Sequence, residues 1–381
     1  MRSAPMWASL SLAALAASAV AQPRAPGGDA PVLDPSGDAL SAFHASLAAG
    51  GRTRVLVWGA SHVSEDGITA PMRRILQSRY GDGGPGLVMP ARPFRFYDHA
   101  DATFAERGAW RGLRVTGRHR EPGRYGPAGF AIEARRPATG FVQTDRPVDR
   151  ARVLYLAQPR GGRLEVTAGE ARRGVSTRGS GTREVALEQR MRRVELRARG
   201  DGPVRVFGVS LERDGPGVIV DAMGSPGARM RDRLPWDQAS MRRGVAMLDP
   251  DLLVLAYGTN ETGFTHRSIA AYRRDVDRAL RRARRLAPDA SCVVIGPTDW
   301  PTRDGSVRER TAAVLEVQRV AARRHGCGHV DLVAMMGGPG SMARWMDAGL
   351  ALEDSVHFND AGHEVIGARI VRALLSGAGS R

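Results

Sequence analysis

The chain has 381 residues, enough for one large domain or two ordinary ones, and 42% of them are hydrophobic, which allows a buried core. Its formal net charge is +16, and every basic residue is an arginine. The excess charge favours attraction to anionic cell-envelope polymers, whereas the absence of any nucleic-acid-binding motif argues against nucleic acid as a partner. A Walker loop is excluded without lysine, and neither Cys-x-x-Cys nor His-Glu-x-x-His spacing occurs, so we expect no metal.

The N-terminus predicts export. Residues 1–21 combine Arg2, an apolar run over Met6–Ala17 and the small-residue cleavage sequence Ala19–Ala21, which is typical of a secretory signal peptide. The alternative is an uncleaved anchor, but the run is short for a bilayer span. We therefore expect a periplasmic or extracellular protein with no stable membrane insertion after cleavage.

The next segments predict the start of an α/β domain. Residues 22–50 indicate a linker followed by a short helix over Asp38–Ala49. The apolar run Arg54–Trp58, closed by Gly59, is typical of a buried strand that ends in a tight turn. Helical spacing of apolar residues follows over Thr69–Tyr80. The order strand, loop, helix is the repeating unit of such domains.

The pattern changes between residues 95 and 214. Helical spacing is replaced by short alternating runs separated by glycine-rich turns, which predict strands at 141–144, 152–156, 163–167, 193–197 and 204–209. Short strands at close spacing are typical of a β-sandwich. We therefore assign residues 95–214 to an inserted β-sandwich module.

From residue 215 onward, strands again alternate with helices. Strands are predicted at 218–220, 252–256, 292–295 and 329–331, and helices at 268–286, 307–325 and 361–376. This alternation predicts a parallel sheet with helices on both faces, in a discontinuous domain of residues 51–94 and 215–381. The two cysteines, Cys292 and Cys327, each lie at the start of a predicted strand; they could form a disulfide or remain buried free thiols.

Four polar segments follow strands of this domain, and they carry the candidate chemistry. Because active groups gather at the carboxyl ends of parallel strands, we expect Ser61, Gly227, Asn260 and the Asp354–His357 segment at one rim. The Ser61 hydroxyl needs a base, for which His357 is suited, and Asp354 can orient and stabilise that imidazole. The backbone N–H groups of Ser61 and Gly227 and the Asn260 amide can bind an oxyanion.

Each of these features is weak alone. Ser61 could lie on an ordinary turn, Gly227 could begin a helix, and Asn260 could cap one. A second Asp-x-x-His, at residues 360–363, is read as structural: Asn359 or Asp360 caps the last helix and His363 lies in its first turn. The order of the four segments, each after its own strand, favours a catalytic site.

These segments resemble the blocks of the SGNH hydrolases, also called the GDSL family, whose Ser, Gly, Asn and His fall here on Ser61, Gly227, Asn260 and His357. The resemblance covers roughly residues 52–90 and 215–375. More narrowly, the chain is similar to bacterial peptidoglycan O-acetylesterases, which carry after the first block a β-sandwich that resembles a carbohydrate-binding module. The stretches that carry this narrower resemblance are Gly81–Gly86, Met336–Met342 and Asp354–Phe358. It implies a module of that kind over residues 95–214. The resemblance implies a flavodoxin-like α/β fold with an inserted jelly-roll or sandwich module.

One residue departs from the family pattern. The usual Gly-Asp-Ser is Gly59-Ala60-Ser61 here, which could weaken turnover. His62 matches a Gly-Asp-Ser-His variant and either lines the pocket or is structural. The resemblance implies a cofactor-free serine esterase that removes O-acetyl groups from cell-envelope polysaccharide, with O-acetylated peptidoglycan as substrate. An O-acyltransferase with the same triad and a non-catalytic polysaccharide-binding protein remain as alternatives.

Overall fold

A computed structural model describes residues 25–34, 36–116 and 123–376; the predicted signal peptide, residues 1–21, lies outside them. The strands are β1 Arg52–Gly59, β2 Gly86–Val88, β3 Thr103–Arg114, β4 Phe130–Ala157, β5 Arg163–Ala168, β6 Ala171–Ser176, β7 Gly181–Ala198, β8 Val204–Glu212, β9 Gly217–Gly224, β10 Leu252–Ala256, β11 Ser291–Ile295 and β12 Gly328–Val330. The α-helices are α1 Ser41–Ala48, α2 Ser61–Ser64, α3 Thr69–Tyr80, α4 Gln238–Leu248, α5 Thr259–Gly263, α6 Ile269–Leu286, α7 Arg310–Arg324, α8 Leu332–Met336, α9 Ser341–Asp347 and α10 Asp360–Leu375, and a 3-10 turn covers Met230–Arg233. Within the described ranges, no helix combines the length and apolar character needed to cross a bilayer.

Five strands form the predicted parallel sheet, in the order β12-β11-β10-β1-β9. Strand β1 lies between β9 and β10, and its last residue, Gly59, pairs with Gly224 of β9 and with Ala256 of β10. The carboxyl ends of these three strands are therefore level. The loops that follow them emerge side by side, which is the arrangement that the sequence predicts.

The two faces of the parallel sheet have different neighbours. Val55 and Val57 of β1 belong to one hydrophobic cluster with residues of α1, α3 and α10. Leu56 and Trp58 point the other way and belong to a second cluster, which includes residues of α4, α6 and the whole antiparallel sheet. The Trp58 indole donates a hydrogen bond to the Pro127 carbonyl at 2.7 Å, so β1 is tied directly to the segment that leads into β4.

The remaining strands form an antiparallel sheet, in the order β2-β8-β4-β7-β5-β6, with β3 paired to β4. Strand β4 is 28 residues long and shifts register between Gln143 and Val148. Its first and second halves both pair with β8, since Ile132 and Tyr155 lie opposite Val206. The sheet is thereby curled around its own core. Strand β2 lies before residue 95, within the segment assigned above to the α/β domain.

A buried ionic seam joins the two sheets at the amino end of β1. The Arg54 guanidinium donates to Asp221 of β9 at 2.7 Å and to Glu212 of β8 at 2.9 Å. Glu212 also accepts hydrogen bonds from Arg152 of β4 at 2.6 Å and from Ser210 at 2.8 Å. Burial alone would raise the pKa of Glu212, but the Arg54 and Arg152 guanidiniums lower it to about 2. Glu212 is therefore ionised at every physiological pH.

The two cysteines are paired. Cys292 is the second residue of β11, Cys327 immediately precedes β12, and the two strands are hydrogen-bonded neighbours. Cys292 and Cys327 form a disulfide with a Cα–Cα distance of 4.5 Å. Of the two alternatives that the sequence leaves open, the structure has the disulfide.

Candidate active site

Ser61 begins the one-turn helix α2, and a single residue, Ala60, separates it from the end of β1. Two glycines allow this tight turn: a Cβ on Gly59 would lie 2.4 Å from the Val63 side chain, and one on Gly224 would lie 2.2 Å from the Ser64 nitrogen. The Ala60 carbonyl accepts from the Val63 and Ser64 N–H groups at 3.2 and 3.0 Å. The turn is therefore packed directly onto the ends of β1 and β9.

His357 bridges Ser61 and Asp354, although 296 residues separate it from the serine. Its Nε2 lies 2.7 Å from Ser61 Oγ, and its Nδ1 lies 2.6 Å from Asp354 Oδ2. The other carboxylate oxygen of Asp354 accepts from the backbone N–H groups of Val356 and His357 at 2.9 and 3.0 Å. The acid thus holds both its own loop and the imidazole ring. A hydroxyl, an imidazole and a carboxylate in this order can generate a serine nucleophile.

The electrostatics of Asp354 suit this arrangement. Partial burial would raise the pKa of its carboxyl, but the hydrogen bonds from the His357 ring and from two backbone N–H groups lower it below its usual value. Its lowered pKa favours the ionised carboxylate, whose negative charge is suited to stabilise a protonated imidazole at hydrogen-bond distance.

The predicted oxyanion-binding residues lie on the adjacent loops. The loop after β9 is tied to β1 by the Ser225 N–H, which donates to the Gly59 carbonyl at 3.1 Å. Gly227 on this loop is exposed and has a φ of +71°, a conformation that favours glycine. Asn260, on α5 after β10, donates from its side-chain amide to the Ala228 carbonyl at 3.1 Å. Ser61 lies in the first turn of α2, where N–H groups have no acceptor within the helix.

His62 packs against the imidazole of His357. The ring centroids lie 5.3 Å apart, and Phe358 and His363 lie 5.3 and 5.9 Å from His62 on its other sides. Burial, with the nearby His363 and His357 rings, lowers the pKa of His62 to about 3. His62 is therefore a neutral ring packed beside His357 at physiological pH.

The second Asp-x-x-His has the structural role that the sequence predicts. Asn359 caps α10, and its side chain accepts from the Gly362 N–H at 3.0 Å. His363 lies in the first turn of that helix, away from Ser61 Oγ, and burial lowers its pKa to about 4.

Sequence reasoning missed a buried acid next to the nucleophile. Asp66, at a φ of +59°, forms an ion pair with buried Arg73 of α3 and accepts from the Thr69 hydroxyl at 2.5 Å. It also accepts from the Ala100 N–H, in the loop before β3, at 3.0 Å. The nucleophile segment is thereby joined to the entrance of the antiparallel sheet. Asp66 lies three residues before α3 in a left-handed conformation, so no regular helical spacing in the sequence points to this pair.

No described group of three or more His, Cys, Asp or Glu side chains could hold a metal ion.

The fold is similar to that of a solved peptidoglycan O-acetylesterase. That structure superposes with a TM-score of 0.78 at 24% sequence identity, and the match covers 92% of this chain and 99% of the other. Two family-two carbohydrate esterases, from Clostridium thermocellum and Cellvibrio japonicus, match at TM-scores of 0.34 and 0.30 with 12% and 10% identity, covering 65% and 73% of this chain and 94% and 98% of theirs. These last two matches are too distant to add to the comparison.

The sequence itself matches one family. No curated protein sequence matches the chain. The model of the GDSL-like lipase/acylhydrolase family matches residues 167–365, more than half of the chain, a span that contains Gly227, Asn260, Asp354 and His357. The parallel sheet, the inserted antiparallel strands and this match lead to one conclusion: the chain belongs to the GDSL-like lipase/acylhydrolase family.

Proposed function

We propose that this protein is an exported serine esterase that removes O-acetyl groups from a cell-envelope polysaccharide, namely peptidoglycan. The observation that carries the proposal is the position of His357, whose two ring nitrogens lie 2.7 Å from Ser61 Oγ and 2.6 Å from Asp354 Oδ2. A partly exposed serine with a base and an oriented acid at hydrogen-bond distance is the arrangement needed for acyl transfer.

In the proposed reaction, Ser61 Oγ attacks the ester carbonyl while His357 Nε2 takes the hydroxyl proton. The negative charge that develops on the carbonyl oxygen is bound by the N–H groups of Ser61 and Gly227 and by the Asn260 amide. The carbon–oxygen bond to the sugar then breaks, and His357 returns the proton to the sugar oxygen. A water molecule attacks the acyl-enzyme with His357 as base, which releases acetate and restores Ser61.

Ala60 is compatible with this mechanism. Its side chain is 8% exposed and takes no part in the chain of hydrogen bonds from Ser61 to Asp354. Its carbonyl, which any residue would supply, accepts the hydrogen bonds that shape the turn. The triad acid is Asp354, so the mechanism needs no carboxylate at position 60.

Three features support an envelope polysaccharide as the substrate. The predicted signal peptide would deliver the protein outside the cytoplasm. The net charge of +16 favours association with anionic envelope polymers. The solved structure with the 0.78 TM-score is a peptidoglycan O-acetylesterase, and the likeness extends over 92% of this chain.

The test compares acetate release from O-acetylated peptidoglycan, O-acetylated xylan and a small aryl acetate, with wild type and Ser61→Ala side by side. We expect wild type to release acetate fastest from peptidoglycan and Ser61→Ala to lose about a thousandfold or more on all three substrates. Faster acetate release from xylan would indicate that xylan, and not peptidoglycan, is the substrate. Acetate transfer that requires an added sugar acceptor would indicate the transferase. Retention of the polymer by both variants without any turnover would indicate a binding protein.

A further inference from the structure

The loop that carries Gly227 is held from one side by two consecutive side chains of α5. The Asn260 amide donates to the Ala228 carbonyl at 3.1 Å. The next residue, Glu261, accepts from the Met230 N–H with Oε1 at 2.7 Å. Two neighbouring side chains thus bind backbone groups beyond Gly227. Asn260 binds the Ala228 carbonyl, and Glu261 binds the Met230 N–H.

Gly227 is exposed, and a Cβ built on it would meet no atom within 4 Å, so no neighbouring side chain packs against this position. It lies in a turn closed by the Ala228 N–H, which donates to the Ser225 carbonyl at 3.0 Å, and the Pro226 carbonyl accepts from the Thr116 hydroxyl at 3.2 Å. On its carboxyl side, Asn260 and Glu261 anchor this turn to α5. The orientation of the Gly227 peptide therefore depends on the turn and on the side chains that anchor its two ends.

Glu261 is an unusual residue to bury at this place. Its exposed fraction is 5%, and its second carboxylate oxygen has no hydrogen-bond partner among the described residues. Burying a carboxyl with one unpaired oxygen costs free energy that an apolar residue of the same size would avoid. Burial raises the pKa of Glu261 to about 7, although the hydrogen bond from Met230 opposes this shift. The one bond that the side chain makes outside α5 is the bond to the loop.

We propose that Glu261 is a positioning residue that fixes the Gly227 N–H for oxyanion binding by holding the Met230 N–H. This inference rests on the proposed esterase mechanism and extends it by one residue. Donors at an oxyanion site act only when they are held in place before the charge develops. Loss of the bond to Met230 removes one of the anchors on the carboxyl side of the loop, and the Gly227 donor is then held less firmly toward the developing charge.

The position has a clear kinetic consequence. The charge on the carbonyl oxygen exists in the transition state and not in the bound substrate, so a loosened donor lowers kcat and leaves KM nearly unchanged. A role confined to the folding of α5 would instead change stability and leave kcat of the folded enzyme intact.

The decisive pair of variants is Glu261→Gln and Glu261→Met, assayed on a small aryl acetate. Glutamine keeps an oxygen that can accept from Met230, whereas methionine keeps the length and lacks the acceptor. We expect Glu261→Met to lose about tenfold or more in kcat with KM within about twofold, and Glu261→Gln to stay within about threefold of wild type.

Thr262→Val is the matched control. Thr262 is the next residue on α5, is fully buried, and donates from its hydroxyl to the Thr259 carbonyl at 2.7 Å without touching the loop. This variant removes one buried hydrogen bond from the same helix, and we expect its kcat to equal that of wild type. If Glu261→Met does not fold, Glu261→Asp, which retracts the carboxylate by one methylene, takes its place with the same expected loss in kcat.

Equal losses in Glu261→Gln and Glu261→Met would overturn the proposal, because the hydrogen bond would then not be the cause. Wild-type kcat in Glu261→Met, or a loss as large in Thr262→Val, would overturn it as well. An Asn260→Ala variant distinguishes a failure of the Glu261 proposal from a failure of the esterase mechanism. If Asn260→Ala and Ser61→Ala lose turnover while Glu261→Met does not, only the proposed role of Glu261 is wrong.

Discussion

Two clusters of charged residues lie at opposite ends of β1, and they differ in how far water reaches them. At the carboxyl end, the side chains of His357 and Asp354 are 36% and 47% exposed. At the amino end, the side chains of Arg54, Glu212 and Asp221 are 3%, 1% and 0% exposed. The carboxyl-end cluster can exchange protons with substrate and water. The buried seam is fully paired and cannot change its charge without breaking the contact between the two sheets.

The difference in burial predicts a difference in consequence. Half-exposed groups contribute little to stability because water screens their charges in the folded state. Removing one partner from a buried ion pair leaves an uncompensated charge and is strongly destabilising. Variants at the carboxyl end should therefore lose activity without losing stability, and variants at the seam should do the reverse.

The largest expected effect after removal of Ser61 belongs to Asp354→Asn. The amide still accepts from the backbone of Val356 and His357, so the loop keeps its shape, but it does not stabilise the imidazolium. We expect kcat to fall by about a hundredfold to ten-thousandfold. Thermal unfolding should change by less than about 2 °C, measured by circular dichroism. A large drop in melting temperature would show that the carboxyl-end cluster also holds the fold, and the comparison would fail.

The second effect is on stability and comes from Arg54→Met. This variant leaves Glu212 and Asp221 buried without their shared cation, at a cost of about 3–5 kcal/mol in the free energy of unfolding, measured by urea titration. The folded fraction should keep wild-type kcat. Arg319→Met is the control, since the Arg319–Glu316 pair is more than half exposed on both sides and should contribute less than about 1 kcal/mol. Similar losses in both variants would contradict the assigned importance of the seam.

The residues at the carboxyl end of β1 could be predicted from the sequence because they follow predicted strands. Ser61, Gly227 and Asn260 each follow an apolar run that ends in a short polar loop, and the parallel topology brings such loops to one rim. The roles of Glu261 and Asp66 could not be predicted, because the sequence does not show which backbone N–H a carboxylate near the site will bind.

The buried seam and the full length of strand β4 could not be predicted from the sequence for a different reason. Arg54 and Glu212 are separated by 158 residues and are two among many charged residues. Strand β4 contains Pro137, Gly140 and Pro147, which are typical of turns. In the structure, Pro147 lies at the register shift between Gln143 and Val148, where a missing N–H costs nothing, so the strand continues through it.

The smallest expected effect is the pH dependence of stability, which is set by buried histidines and by Glu261. Burial lowers the pKa of His62 to about 3 and the pKa values of His329 and His363 to about 4. As pH falls from 6.5, the unfolded chain binds protons that these three rings do not bind in the fold, so the free energy of unfolding decreases. Glu261 acts in the opposite direction, since its raised pKa of about 7 means that the folded state holds a proton which the unfolded state loses above about 4.5.

Three histidines outweigh one glutamate, and we expect a net loss of about 1–3 kcal/mol between pH 7 and pH 5, measured by urea titration at each pH. His329→Gln should make the dependence shallower, because one proton-binding group is removed. Glu261→Gln should make it steeper, because the opposing group is removed. The carboxyl of Glu212, with a pKa of about 2, remains ionised throughout this range in the wild-type protein. Arg54→Met removes a cation that lowers this pKa, so burial should raise the pKa of Glu212 in the variant and make the pH dependence shallower. An unchanged slope in Arg54→Met would mean that Arg54 does not keep the seam ionised, and the contrast between the two clusters would no longer hold.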